Sequence, residues 1–96
     1  MGRLISIRFI YNNVEHYCLV RIKNIHGLKE YHITIMNGEL EELLHGNHVI
    51  LEVQGKLMIQ VESQKTDQGK LKLAVANALS NYLAEHKVAE SDMFLN

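Results

Sequence analysis

The sequence predicts an α+β domain: a five-stranded antiparallel sheet of hairpins in the order β-β-β-short α-β-β-α, with one C-terminal helix packed on one face. Three observations lead there. Apolar residues alternate with a period of two over most of residues 3–61, turn-forming residues interrupt that alternation at hairpin spacing, and a single helical periodicity occupies residues 68–87. One helix covers only one face of such a sheet.

In Arg3 to Tyr11 the odd positions Ile5, Ile7, Phe9 and Tyr11 form one face, and Leu4, Ser6, Arg8 and Ile10 form the other. Asn12-Asn13 follows, and asparagine tolerates the positive φ of a tight hairpin turn. Pairing Tyr11 with Val14 sets Phe9 against His16, Ile7 against Cys18 and Ile5 against Val20. A second hairpin pivots on His26-Gly27. Pairing Ile25 with Leu28 sets Ile22 against Tyr31, Val20 against Ile33 and Cys18 against Ile35. On the opposite face, Lys23 meets Glu30, Arg21 meets His32 and Leu19 meets Thr34. A one-residue slip would turn a strand inside out, so the agreement of two independent hairpins supports the register itself.

Residues 37–46 read as a short helix, with Asn37 as N-cap, Leu40, Leu43 and Leu44 at helical spacing, Glu39, Glu41 and Glu42 in its early turns and Gly46 at its end. The competing reading is an Asn37-Gly38 hairpin turn with residues 39–43 as a strand. Beyond Asn47 the period-two pattern predicts that Val49, Leu51 and Val53 face the core opposite Leu57, Ile59 and Val61. Matching those faces requires a three-residue loop around Gln54-Gly55 that opposes Glu52 to Lys56. Gln68 to Lys87 is the long helix, capped by Thr66 or Asp67, with Leu71, Val75, Ala78, Leu79, Tyr82 and His86 on its apolar face and Leu83 at the margin. Residues 1–87 therefore form one domain, and residues 88–96 a tail ending in the apolar Met93-Phe94-Leu95.

The chain has 96 residues, 47% hydrophobic and 22% charged, with a formal net charge of −1. That size supports one core, and the charge balance disfavours a dedicated nucleic-acid binder. With Cys18 the only cysteine, no intrachain disulfide framework is possible, and a reducing compartment fits. The start shows no secretory pattern and no apolar run reaches the length of a membrane span, so the expectation is a cytoplasmic protein without a membrane partner. Met1-Gly2 with Ser6 matches the myristoylation pattern, a short match read as chance or vector-derived.

Candidate chemistry is thin. Cys18 and His16 share the core-facing side of one strand, where burial disfavours the thiolate a nucleophile needs. His45 and His48 are the closest histidine pair, too few for a structural zinc site and separated by the Gly46-Asn47 break. Asp67 and Asp92 are the only aspartates, one in a cap and one in the tail, and no phosphate-binding glycine motif is present. The expectation is no catalytic residue, no metal and no cofactor: a non-enzyme.

The informative surface is the sheet face left uncovered. It is predicted to display Leu4, Ser6, Arg8 and Ile10; Glu15, Tyr17, Leu19, Arg21 and Lys23; Glu30, His32, Thr34 and Met36; then His48, Ile50, Glu52, Met58, Gln60 and Glu62. Arg8, Tyr17, Leu19, Arg21, His32 and Met36 form its centre, a mixture that favours interface anchoring. The sequence therefore points to a small non-enzymatic interaction or structural domain, homodimeric through this face or docked on another protein. The alternative is a binding module for a small ligand or single-stranded nucleic acid, with Tyr17 stacking a base beside Arg8 and Arg21.

Overall fold

The computed structural model describes residues 3–58 and 66–94, with side chains as far as Glu85. In chain order the elements are β1 (Arg3–Tyr11), β2 (Val14–Ile25), β3 (Leu28–Ile35), α1 (Gly38–Leu43), β4 (Val49–Val53), β5 (Lys56–Met58) and α2 (Asp67–Phe94). The strands form one antiparallel sheet in sequential order, β1-β2-β3-β4-β5. This is the expected fold class.

Two-residue turns set the register of the first three strands. Asn12 and Asn13 have φ of 53° and 63°, and His26 and Gly27 have φ of 50° and 84°, the left-handed geometry that matches strand twist in a tight hairpin. Tyr11 consequently pairs with Val14 and Ile25 with Leu28, and every cross-strand pair expected from the sequence in these hairpins is present. One side of the sheet is thereby apolar: Ile5, Ile7, Phe9, Cys18, Val20, Tyr31, Ile33, Ile35 and Ile50 are all buried.

The helices close that side. The Asn37 side chain accepts from the Leu40 N–H at 3.1 Å, satisfying an orphan donor at the start of α1 and deciding for helix over strand. His45 and Gly46, with φ of 50° and 80°, turn the chain back after it. Thr66 caps α2 by accepting from the Gly69 N–H at 3.0 Å. Leu71, Val75, Ala76 and Leu79 of α2 and Leu44 after α1 complete the core, with Tyr82 and Leu83 packed at its edge. The two helical segments are also tied by polar contacts, because Gln68 Nε2 donates to the Leu44 carbonyl at 2.7 Å and Lys72 Nζ to Asn47 Oδ1 at 2.8 Å.

Two expectations are corrected. The third hairpin turns on two residues, Gln54 and Gly55 with φ of 52° and 80°, pairing Val53 with Lys56 and Glu52 with Leu57. Ile50 is therefore fully buried opposite Tyr31, while Leu51 and Val53 are exposed on the outer face. His48 and Glu52 also lie on the inner side, at its polar margin. Further along the chain, the backbone of α2 continues to Phe94, seven residues beyond the helix end expected at Lys87. Ile59, Gln60, Val61, Glu62, Leu95 and the Met1-Gly2 start lie outside the described residues, as do the side chains of His86, Asp92, Met93 and Phe94.

The phase of β4 is held by two polar pairs. Glu41 of α1 accepts from the Ile35 N–H at 2.9 Å through Oε1 and contacts His48 Nε2 at 2.6 Å through Oε2, linking α1, the end of β3 and the approach to β4. Tyr31, buried among aliphatics, donates its hydroxyl to Glu52 at 2.9 Å. Glu41→Ala would strip an acceptor from a strand-end N–H and from His48 together. It is expected to lower stability by about 1–3 kcal/mol, measured by urea denaturation, and Glu41→Gln by less because one acceptor remains.

Candidate functional site

Arg8, Tyr17, Leu19, Arg21, His32 and Met36 lie together on the outer face, as the register requires. Arg8 is opposite Tyr17, Arg21 is opposite both Leu4 and His32, and Leu19 lies between Ser6 and Thr34. Met36, just past β3, joins the same surface because its N–H donates to the Tyr17 carbonyl at 2.9 Å. Tyr17 and Met36 are exposed, whereas Leu19 and His32 are half-buried by their neighbours.

The corrected register of β4 makes this face more apolar than the sequence suggested. His48, Ile50 and Glu52 leave it, and Val49, Leu51 and Val53 take their places. Ile25, Leu28, Leu51, Val53 and Met58 are all exposed large apolar side chains at the β4–β5 side of the sheet. Ile10, Tyr17 and Met36 form a second group near the opposite corner. Arg21, Thr34 and the His32–Glu30 pair, 2.9 Å apart, lie between them. The signal was present in the two-residue spacing of Gln54-Gly55.

The basic groups do not stand as an open cationic patch. Arg8 lies 4.0 Å from Glu15, Lys23 is opposite Glu30, and His32 is held by Glu30. Carboxylates thus sit beside Arg8, Lys23 and His32, though not beside Arg21, which is opposite Leu4 and His32, and they weaken the electrostatic footprint of a nucleic-acid surface.

The residues with catalytic chemistry are engaged elsewhere. Cys18 is fully buried between Ile7 and Ile35, and burial pushes its thiol from 9.0 up to about 12, with the Thr34 backbone opposing and Glu41 adding to the rise. His16 packs its ring on Phe9, centroids 5.5 Å apart, rather than presenting it to a nucleophile. His48 is bound to Glu41, and His45 occupies a left-handed turn position. Among the described residues, no group of three or more His, Cys, Asp or Glu side chains is arranged to hold a metal ion. Burial also pushes the Tyr31 hydroxyl upward, with Glu52 adding to the effect, and lowers the Lys72 ammonium.

Two grooves accompany these surfaces. One, of about 640 Å³, runs between the free edge of β1 and α2, lined by Ser6 to Ile10 on the strand and by residues from Ala74 to Glu85 on the helix. The other, of about 500 Å³, lies between the β4–β5 hairpin and α2. No helix among the described residues is long and apolar enough to cross a membrane. No protein-family model matches this chain, and comparison with curated proteins and with solved structures gave no match.

Cys18 provides a direct check on the inner face. Its thiol is expected to react with a disulfide reagent at least about a hundredfold more slowly in the folded protein than in urea, because the thiolate is disfavoured and the site is closed. Its raised folded value also fixes a sign: the unfolded thiol ionises first, so its contribution to stability is fully present below pH 9 and is lost between about 9 and 12. Tyr31 acts in the same direction from 10 upward. Urea midpoints measured across that range should fall, and more shallowly in Cys18→Val.

Proposed function

We propose that this chain is a small non-enzymatic protein-interaction domain that self-associates through the outer face of its sheet. The observation that carries this reading is the distribution of exposed apolar side chains. Leu4, Ile10, Tyr17, Leu51, Val53 and Met58, together with Met36, occupy the face that neither helix covers. Covering each is worth up to about 1.5–3 kcal/mol, and a surface this apolar is what interfaces conceal.

A second copy is the occupant because the face is electrically mixed. Arg8, Arg21, Lys23 and Lys56 share it with Glu15 and Glu30, and the whole chain carries a net charge of only −1. Two identical faces therefore meet without the repulsion that a single-sign surface would impose. The engagement of Cys18, His16, Glu41 and His48 in packing and hydrogen bonds supports the non-enzymatic part of the reading. A cytoplasmic setting fits the unpaired cysteine.

Single-stranded nucleic acid or a small ligand on Arg8, Tyr17 and Arg21 is the weaker reading, because Glu15 and Glu30 compete for the cations. Size exclusion with light scattering at high micromolar concentration tests the proposal. Replacing Leu19 and Leu51 together by Glu is expected to lower the associated mass, weakening self-association roughly a hundredfold, the equivalent of about 2.8 kcal/mol. A mass unchanged by that double substitution overturns the outer-face interface; oligonucleotide binding that falls steeply with salt would favour the weaker reading instead.

A further inference from the structure

The two edges of the sheet differ. β5 has three described residues and a lysine at its start, whereas β1 is nine residues long and among the described residues pairs on one side only. Its pairing with β2 is continuous from Arg3 to Tyr11, without a bulge, and the chain contains no proline. A bulge and a proline are two of the devices that ordinarily blunt an edge, and β1 lacks both, its charged residues being Arg3 and Arg8.

The direction of its free hydrogen-bonding groups follows from the neighbouring ladder. The Met36 N–H donates to the Tyr17 carbonyl, so the odd residues of β2 face β3 and the even ones face β1. In β1 the odd residues, paired with those even ones, consequently bond to β2. The N–H and C=O groups of Leu4, Ser6, Arg8 and Ile10 point away from the sheet. The side chains of Leu4 and Ile10 beside them are 61% and 65% exposed.

We infer that the free edge of β1 pairs antiparallel with β1 of a second copy, about a two-fold axis at Ile7, joining two sheets into one. This register is self-complementary. Leu4 then meets Ile10 of the second copy, Ser6 meets Arg8, and Ile7 meets Ile7, with all the outward-pointing groups paired. A centre at Arg8 would set Arg8 against its own mate, and like charges directly opposed are destabilising. A centre at Ser6 would set Leu4 against Arg8 and leave Ile10 without an apolar partner. With the axis at Ile7 the inner faces also remain in phase, Ile5 beside Phe9, so Ile7 and Phe9, which line the groove between β1 and α2, meet their own counterparts' apolar face.

This interface is separate from the outer-face contact, and a two-variant comparison distinguishes them. Ser6→Pro removes one outward-pointing N–H and leaves the β1–β2 ladder intact, since proline is tolerated where the N–H faces away from the sheet. In the Leu19→Glu, Leu51→Glu background, light scattering is expected to show a residual dimer. Adding Ser6→Pro is expected to weaken that dimer by about a hundredfold or more, because the lost bond counts twice across the axis. A monomer in the background without Ser6→Pro, at high micromolar concentration, overturns the edge pairing whatever becomes of the outer face. Should Ser6→Pro fail to fold, amide hydrogen exchange replaces it. The Ser6 and Arg8 amides are expected to gain at least about tenfold protection as protein concentration rises, whereas concentration-independent exchange overturns the inference.

Discussion

The register of the β1–β2–β3 meander is the constraint on which the rest of this structure depends. Because strand side chains alternate with a period of two, one choice at Asn12-Asn13 and one at His26-Gly27 assigns more than half the described strand residues to a face. Both turns demand positive φ at two consecutive positions, and Asn-Asn and His-Gly accept it at moderate cost. From that assignment follow the inner surface that receives α2, the outer surface that neither described helix covers, and the direction in which the edge groups of β1 point.

The same dependence explains what could be read from sequence and what could not. The first two hairpins were legible because each is strongly two-sided: moving Ile7 or Val20 outward would also bring Arg8 or Arg21 inward. The fourth strand lacks that contrast. Val49, Leu51 and Val53 are more apolar than His48, Ile50 and Glu52, so pattern alone assigns the wrong triplet to the core. The fold reverses the assignment because His48 and Glu52 bring partners with them, Glu41 and Tyr31. A polar side chain on the inner side costs little once its hydrogen bonds are made, and no local pattern reveals a partner seven or twenty-one residues away. The placement of the candidate surface at the centre of β1–β3 was therefore legible, whereas its β4–β5 extension was signalled only by the two-residue Gln54-Gly55 turn, against the apolar pattern.

Those pairs also bear on chemistry. Glu41, His48, Tyr31 and Glu52 are the residue types from which acid–base sites are built, and here each makes a hydrogen bond that joins elements. Glu41 holds the end of β3 with one oxygen and His48 with the other. Tyr31, with its hydroxyl bonded to Glu52 and its pKa raised by burial, is a fixed donor rather than a proton shuttle. The thiol of Cys18 is closed off between two aliphatic side chains of neighbouring strands.

Geometry explains why the uncovered surface is so large. Five strands about 4.8 Å apart span roughly 19 Å between the outermost axes, and an α-helix with its side chains is only about 10 Å wide. A single helix cannot roof even one face of this sheet. Among the strands α2 takes the β1 side, α1 packs on β3 beside it, and Leu44 fills the junction between them. Both helices are thus consumed by the inner face, and among the described residues no third helix lies on the outer one. Adding a second sheet edge to edge widens the inner layer without covering the outer face, whereas packing face to face covers it without closing the edge. The two proposed contacts would answer different deficits of the same small fold, and neither would substitute for the other.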